Sequence, residues 1–275
     1  PVFFPGGDIG KLAVNGTVND LAVMGARPLY LSCALILEEG LAIADLKTIL
    51  ESMKRAADYA GVKIVTGDTK VVQKGNADRI FINTAGIGVM EREVQRREIA
   101  PGDRIIVNGS IGDHGVAVMA ERNRLTFTRG LASDCAPLNH LVARVMEKFP
   151  GAVRFMRDAT RGGVASVLNE IVKNRGFSAI LEETVLPVKE EVKGVCDLLG
   201  IEPLYVANEG KLVIVADAAS ADGIVEEMRR VEEGRGSCVI GTVSAEFPGK
   251  VIMETEIGGR RILPLLAGEQ LPRIC

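Results

Sequence analysis

The chain has 275 residues, of which 47% are hydrophobic and 25% are charged, and its formal net charge is −3. This composition is typical of a globular protein with a substantial core, and its charge balance excludes electrostatic attraction to nucleic acid or to an anionic membrane. Only 4% of the residues are aromatic, which disfavours a base-stacking platform, and no apolar run approaches the roughly 20 residues of a membrane helix.

Helices and strands alternate through the first ninety residues. The segment GDIGKLAVNGTVNDLAVMGARP predicts a helix, because Asp8 can cap its start and Gly25 fits its end. A buried strand is predicted over 29–37 and another strand over 79–89. Between them, an amphipathic helix ends at Gly61, and VKIVTGDTK is a strand that runs into a turn. The apolar face predicted for the amphipathic helix consists of Leu46, Ile49, Leu50, Met53, Ala57 and Ala60.

The second half of the chain alternates in the same way. The charged stretch 91–103 ends in a Pro-Gly turn and is predicted to link two domains. Strands are predicted in DRIIVNG, FSAILEE, GKLVIVAD, SCVIGTVS and KVIMETE. Helices are predicted in DHGVAVMAER, APLNHLVARVMEKFPG, TRGGVASVLNEIVKNRG, VKEEVKGVCDLLG and AADGIVEEMRRVEEG. This alternation favours two domains of the α/β or α+β class.

The cysteines are odd in number and form no CxxC pair, which indicates a reducing compartment, the cytoplasm. Cys33 and Cys238 lie in apolar strand-like runs and Cys196 in a helix, so all three are interpreted as small buried hydrophobic residues. Cys135 follows a polar turn, and its environment stays open. Cys275 is the last residue, in LPRIC, a position that burial does not explain.

Several common site types are disfavoured. The two histidines, His114 and His140, show no metal-ligand spacing, so a zinc site is not predicted. Ser110, Asp113 and His114 share the run NGSIGDHG, but a catalytic triad needs side chains from separate elements, so the run predicts a turn and a helix cap. GGDIGK is similar to a phosphate loop, except that Leu12 stands where a Walker A motif needs Ser or Thr.

Three other stretches carry candidate chemistry. In VTGDTK, Asp68 suits a hard cation such as Mg²⁺, and Lys70 suits phosphate binding or proton transfer. In TVNDLAVMGARP, Asn19 and Asp20 lie within an otherwise apolar helix, where a buried Asp needs a partner or a metal. RDATRGGVAS opens a helix whose first backbone N–H groups can bind an anion. Its candidate residues are Thr160, Arg161, Gly162 and Gly163.

Each of these stretches also has a purely structural interpretation. An Asp before Thr often forms an Asx turn, and paired glycines often mark close packing. The coincidence of the three favours a site for a nucleotide with Mg²⁺ that does not use a P-loop.

Eight segments together resemble one family. They are FFPGGDIGKLAVNGTVNDLAVMGARPLYLS, ILEEGL, IVTGDTKVV, FINTAGIG, NGSIGDHG, RDATRGGVASVLNEI, ANEGKLVIV and the terminal PRIC. The chain resembles the HypE family of hydrogenase maturation factors, also called carbamoyl dehydratases, in the superfamily of aminoimidazole ribonucleotide synthetase and selenophosphate synthetase. The resemblance runs from Phe3 to Cys275, and the combination of GDTK, GDHG, DxTRGG and PRIC is highly specific.

The resemblance implies a two-domain PurM-like fold of mixed α+β and α/β character. An ATP-binding N-terminal domain that mediates dimerisation would span residues 1–98, and an α/β sandwich domain would span 99–263. A flexible tail over 264–275 would carry the reactive Cys275. Family members have a further N-terminal segment with paired aspartates and a glycine-rich stretch, and this chain is expected to lack it.

The resemblance also implies an activity. HypF, a carbamoyltransferase, would place a carbamoyl group on the Cys275 thiol, and ATP with Mg²⁺ would drive its dehydration to an S-cyanide. The cyano group would then pass to iron on a HypC–HypD complex. The implied protein is a cytoplasmic homodimer without nucleic-acid or membrane partners.

By motif, the resemblance assigns Asp20 and Asp68 to metal and cofactor binding, and Lys70 and Glu209 to catalysis beside Cys275. Lys70 and Glu209 are expected to supply the base or cation that a C-terminal thiol needs, because its own carboxylate disfavours ionisation. The other cofactor-binding candidates are Asn208, Thr160, Gly162 and Gly163.

Two other interpretations stay open. The chain could be another ATP-dependent synthetase of the superfamily that acts on a small amide or selenide, although the PRIC terminus counts against this. It could also be a truncated, catalytically silent scaffold that docks HypF, HypC or HypD.

Overall fold

The first part of the computed structural model is a small sheet with two helices. The structure describes residues 1–90, 98–124 and 130–266. In chain order, the first elements are β1 (Phe3–Phe4), β2 (Gly7–Asp8), α1 (Ile9–Val23), β3 (Arg27–Glu38), α2 (Ile43–Ala60), β4 (Lys63–Val72) and β5 (Ile80–Val89). β3 is the central strand of this first sheet, parallel to β4 and antiparallel to β5.

The helix boundaries in this part follow the predicted signals. The Asp8 side chain accepts hydrogen bonds from the backbone N–H groups of Gly10, at 2.8 Å, and Lys11, at 3.1 Å, which confirms it as the cap of α1. Gly61 ends α2 in the left-handed conformation, with a φ of 73°, which confirms the predicted stop. Both helices pack on one face of the sheet, around a core that includes Leu31.

Three predictions for this part are wrong. The strand predicted over 29–37 exists, but it is not fully buried, since Tyr30 is 43% exposed. Leu50, assigned to the buried face of α2, is 42% exposed and lines a groove beside β4. The turn predicted in VTGDTK is strand, because β4 continues through it. Gly67 there permits close approach to β3 rather than a turn: a Cβ would lie 2.0 Å from the Cys33 carbonyl oxygen.

The second part of the chain contains a larger sheet. Its elements are β6 (Arg104–Val107), α3 (Asp113–Arg122), α4 (Asn139–Lys148), β7 (Val153–Asp158), α5 (Gly163–Val172), β8 (Ser178–Glu182), α6 (Glu190–Leu199), β9 (Leu212–Ala216), α7 (Ala221–Met228), β10 (Cys238–Ser244), β11 (Val251–Glu254) and β12 (Arg260–Ile262). Across this second sheet the strands run in the order β12, β11, β8, β10, β6, β9 and β7. Among the described strands of this sheet, only β8 and β11 pair in parallel.

Both faces of the second sheet are covered by helices. In β9, Leu212 and Ile214 pack with α4 and α7, whereas Val213 and Val215 pack with α5. Because successive side chains point to opposite faces, this strand is apolar on both sides and fully buried. Strand β7, which the sequence patterns did not predict, lies at the edge beside β9. Helices mixed with strands in two main sheets confirm the predicted fold class.

Helix α1 connects the two parts, because Ala22 near its end belongs to the core that α4 and α7 form with the second sheet. The predicted linker at 91–103 lies largely outside the described residues, and the domain boundary near residue 98 stays a prediction.

The predicted tail begins as an anchored segment. The Tyr205 hydroxyl donates to the Pro264 carbonyl oxygen at 2.6 Å, and Leu266 packs against the core under α5. These contacts fix the first residues of the predicted tail, and the flexible tail over 264–275 stays a prediction. The remainder, with Cys275, lies outside the described residues.

Candidate functional site

Asn19 fixes α1 against two loops of the second part. Its Nδ2 donates to the carbonyl oxygens of Ala136, at 3.1 Å, and Glu209, at 3.2 Å, and its Oδ1 accepts from the N–H of Leu138 at 2.7 Å. This explains a buried polar side chain in an apolar helix, because the amide satisfies loop backbone groups. The prediction of a buried Asp is wrong: Asp20 itself is exposed at the edge of this contact.

Four charged side chains near the end of β7 lie close enough for their charges to act on one another, and we call Asp20, Asp158, Arg161 and Glu209 the junction cluster. Burial, together with the carboxylates of Asp134, Asp158 and Asp20, raises the pKa of Glu209 to about 8, while Arg161 opposes the shift. Partial burial and then Asp158 raise the pKa of Asp20. Arg161 and Arg157 oppose the shift at Asp20, so the carboxylates of the cluster already have cations nearby.

Asp134 holds the backbone of the segment that carries Glu209. Its Oδ1 accepts from the N–H of Glu209 at 3.1 Å, and its Oδ2 accepts from the N–H of Gly210 at 3.2 Å. The Lys211 ammonium lies 3.1 Å from the same Oδ2. A Cβ at position 210 would lie 2.0 Å from the Asp134 carbonyl oxygen, so only glycine fits there. These contacts fix where the Glu209 side chain starts.

The Glu209 carboxyl group suits proton transfer. It is 5% exposed, and no described residue donates a hydrogen bond to it. A carboxyl group with a pKa of about 8 exchanges its proton readily near neutral pH, which is the property that a general acid or base requires.

Asn208, a predicted cofactor-binding residue, forms side-chain hydrogen bonds with backbone groups. Its Oδ1 accepts from the N–H of Gly112 at 2.8 Å, and its Nδ2 donates to the carbonyl oxygens of Ala159 and Val206, each at 3.0 Å. It is fully buried. The side chain joins the start of α3 to the end of β7, so its contribution to any ligand site is to position the residues around it.

The turn from Thr160 to Gly163 is shaped by packing. Gly162 and Gly163 have φ values of 71° and 59°, and the N–H of Gly163 donates to the Thr160 carbonyl oxygen at 3.0 Å. A Cβ on Gly163 would lie 2.4 Å from the Leu204 carbonyl oxygen. The close-packing interpretation therefore holds for Gly163. The turn also carries Arg161 of the junction cluster, and anion binding there stays a prediction.

Asp68 and Lys70 lie on the face of the first sheet that points away from α1 and α2, which we call the outer face. Their neighbours on β3 are Ala34 and Ile36. These two alternate with leucines of the buried core, so they point to the opposite side. One copy of the chain therefore does not bring Asp68 to Asp20, or Lys70 to Glu209, and the paired roles predicted for them stay predictions.

Metal binding at the junction cluster needs ligands from outside the chain. Within the described ranges, no group of three or more His, Cys, Asp or Glu side chains is arranged to hold a metal ion. Mg²⁺ is usually held by one or two carboxylates, with waters and substrate phosphates as its other ligands. Asp20 and Asp158 fit that smaller role, since they are close enough for Asp158 to raise the pKa of Asp20.

The described histidines and cysteines do not form a catalytic group. Ser110 bonds to Asp113, but the Nδ1 of His114 lies 2.8 Å from the Oγ of Ser133, so NGSIGDHG is a turn and a helix start, as predicted. Cys135, left open by the sequence, is buried, and burial raises the pKa of its thiol to about 12.

Two site residues were missed by the sequence reasoning. Asp158 stands two residues before the Thr160–Gly163 turn, in a strand that was not predicted, although its place in RDATRGG was a usable signal. Asp134 precedes Cys135 in a loop without periodicity. Its link to Glu209 joins residues 75 apart in sequence, which no local pattern reports.

Two family models match the two parts of the chain. The N-terminal domain of AIR synthase related proteins matches residues 1–90, and the C-terminal domain matches residues 100–254. A carbamoyl dehydratase HypE of Rhodobacter capsulatus is 54% identical over 277 residues, which cover 100% of this chain and 81% of that protein. The chain belongs to the HypE family. It is thus an enzyme of the carbamoyl dehydratase class.

Two solved HypE structures are similar to this HypE-family chain. A HypE in complex with ATP is 46% identical with a TM-score of 0.94, covering 100% of this chain and 84% of that one. A HypE–HypF complex gives 50% identity and a TM-score of 0.90, covering 95% and 86%. These similarities confirm the two-domain PurM-like fold. In the described ranges, no helix is long and apolar enough to cross a membrane.

Proposed function

We propose that this chain uses ATP to dehydrate an S-carbamoyl group on Cys275 to an S-cyanide, which supplies cyanide ligands to the iron of [NiFe] hydrogenase. The observation that carries the proposal is the junction cluster, in which a buried Glu209 with a pKa of about 8 lies beside Asp20, Asp158 and Arg161. The similarity to a HypE that was solved with ATP supports the nucleotide.

The reaction makes a poor leaving group into a good one. The carboxamide oxygen attacks the γ-phosphorus of ATP, ADP departs, and one N–H proton is lost to give a phosphorylated imidate. Loss of the second N–H proton and departure of phosphate then leave the C≡N bond on sulfur. The protein must therefore accept protons beside the thiol and stabilise charge on the phosphoryl group.

The residues of the junction cluster divide these tasks. Glu209, which is anchored by Asp134, accepts a proton from the carboxamide nitrogen. Asp20 and Asp158 would hold Mg²⁺, which neutralises phosphate charge when it is bound. Arg161 carries a positive charge that lowers the pKa of Glu209, and its guanidinium group suits a phosphate oxygen. Asn208, Thr160, Gly162 and Gly163 fix the backbone around these side chains.

Lys70 and Asp68 enter the site from a second copy of the chain. Both lie on the outer face, which also exposes apolar side chains: Tyr30 is 43%, Phe81 50% and Ile87 65% exposed. An apolar face of this kind marks an interaction surface. A homodimer that buries it would move Lys70 of one copy toward the junction cluster of the other, where its ammonium group would favour the thiolate of Cys275.

The other partners follow from the proposed reaction. HypF would deliver the carbamoyl group, as supported by the solved HypE–HypF complex of a similar protein. A HypC–HypD complex would accept the cyano group. The described cysteines Cys33, Cys135, Cys196 and Cys238 are free thiols, in keeping with the predicted reducing compartment.

Mass spectrometry of the C-terminal peptide tests this function. After incubation with HypF, carbamoyl phosphate, ATP and Mg²⁺, the peptide should first gain a carbamoyl group on Cys275 and then lose water. A Cys275→Ala chain should show neither change. If HypF is shown to be active and the peptide is never modified, the proposal is wrong. A peptide that is carbamoylated but never dehydrated would identify the chain as a catalytically silent scaffold.

A further inference from the structure

A cleft of about 510 Å³ lies between the start of α1, the second half of α2 and the loop before α4. Lys11 lines it, nine residues before Asp20 on the same helix. At about 3.6 residues per turn, this separation puts the two side chains on opposite sides of α1. Lys11 therefore points away from Asp20 of the junction cluster. Gly6, Gly7 and Asp8 of the GGDIGK motif also line it.

Two cations face this cleft while its carboxylates are already engaged. Arg55 forms no ion pair or hydrogen bond within the described ranges, and the Lys11 ammonium donates only to the Gly6 carbonyl oxygen, at 3.0 Å. Asp8 caps α1, and Glu233 accepts from a tyrosine hydroxyl at 2.6 Å. The carboxylates thus already accept hydrogen bonds, and the side-chain donors that stay available to a ligand are those of the two cations, which suit an anion.

A buried polar atom without a partner also points to a ligand. Asn15 is fully buried and lines the cleft; its Nδ2 donates to the sulfur of Cys135 at 3.5 Å, but its Oδ1 has no hydrogen-bond partner. An unpaired buried acceptor is costly, so this oxygen calls for an N–H or O–H group. Ser52, which is buried on α2, adds a hydroxyl to the same wall.

We infer that this cleft binds a small phosphate-bearing ligand. Arg55 and Lys11 would take its anionic oxygens, the Ser52 hydroxyl would donate to a further oxygen, and the ligand's P–OH group would donate to the Oδ1 of Asn15. The neighbouring Cys135 thiol is protonated and does not repel the anion. The volume exceeds that of free phosphate, so a phosphomonoester has room. This site is additional to the proposed function and does not depend on it.

Titration calorimetry on the full chain tests whether the cations of the cleft bind phosphate. Inorganic phosphate and glycerol 3-phosphate should each bind saturably, and the tighter of the two tells which source of phosphate the cleft prefers. Arg55→Gln should weaken both by about tenfold, whereas Lys54→Gln, the adjacent exposed cation on α2, should leave both unchanged. Absence of saturable binding, or equal binding by the two variants, would overturn the inference.

Sulfate tests the role of Asn15 without a substitution. At about pH 5.5, below the second pKa of a phosphomonoester, both phosphate ligands carry a P–OH group whereas sulfate has none, so the wild-type chain should bind sulfate about tenfold more weakly. Equal affinities for sulfate and phosphate would contradict the assignment of Asn15. A methylene analogue of ATP should leave phosphate binding intact. Suppose instead that the analogue displaces phosphate from the wild-type chain and that Arg55→Gln leaves the phosphate affinity unchanged. The anion then lies at the junction cluster, and the inference fails.

Discussion

The two main sheets of this protein differ in how many of their faces are covered by helices. In the second sheet, all 5 residues of β9 are buried, because helices cover both faces. In the first sheet, helices cover one face only, and the outer face leaves Phe81 50% and Ile87 65% exposed. The difference teaches that one copy covers both faces of the second sheet with helices but leaves an apolar face of the first sheet exposed, which is the surface proposed for a partner copy.

The largest expected effect comes from the second part of the chain. Glu209→Gln removes the proposed proton acceptor while keeping its shape, so dehydration of carbamoylated Cys275 should fall by about 10²–10⁴-fold. Glu226→Gln, an exposed carboxylate on α7, is the matched control and should keep wild-type rates. Single-turnover measurements on pre-carbamoylated protein check this, and a Glu209→Gln chain of normal rate would remove Glu209 from the mechanism.

Breaking the outer face tests the other side of the comparison. Phe81→Lys places a charge among its apolar side chains, so the chain should become monomeric in light scattering at micromolar concentration and lose most of its dehydration rate. Ile257→Lys, at a site that is 94% exposed, should change neither property. A Phe81→Lys chain that stays dimeric would show that this face is not the interface.

Asp158→Asn should weaken nucleotide binding while it raises the stability of the folded chain. Removing one carboxylate from the junction cluster should weaken binding of Mg-ATP by about tenfold, because a metal ligand is lost. Without nucleotide the same chain should be more stable, since the repulsion that raises the pKa of Glu209 is reduced. Calorimetric titration and urea unfolding measure the two effects. Asp197→Asn, an exposed carboxylate on α6, is the control, and weaker stability with unchanged nucleotide binding would reject the assignment.

A smaller effect concerns the dependence of stability on pH. The pKa of Glu209 is raised from 4.5 to about 8 in the folded chain, so its stabilising contribution is full below about pH 4.5 and is lost as the pH rises through about 8. As the pH rises between these limits, the free energy of unfolding should therefore fall less for the Glu209→Gln chain than for the wild type. The difference should be on the order of 2–4 kcal/mol. Urea unfolding across this range checks it, and parallel curves for the two chains would contradict the raised pKa.

Local signals predicted much of the fold. Asp8 and Gly61 marked helix ends correctly, and β9 was visible as an apolar run, because caps and periodicity act over a few residues. Gly67 was misinterpreted as a turn glycine. Its small size is required by the distance between two strands, and that distance is a tertiary property.

The candidate site was less accessible to sequence reasoning than the fold. Glu209 was assigned through family motifs, but its raised pKa depends first on burial and then on Asp134, which is 75 residues away, and on Asp158 and Asp20. The separation of Lys70 from the junction cluster depends on which face of β4 it occupies, and strand register decides this.

The central claim is that the junction cluster of one copy and the outer face of another form one site, and a mixed dimer tests it most directly. Lys70→Ala and Glu209→Gln chains should each be inactive alone. When the two are co-expressed, a mixed dimer keeps one site with both residues intact, so dehydration should return to about one quarter of the wild-type rate. If both residues act within one copy, no site in the mixture is intact, and an inactive mixture of confirmed mixed dimers would contradict the claim.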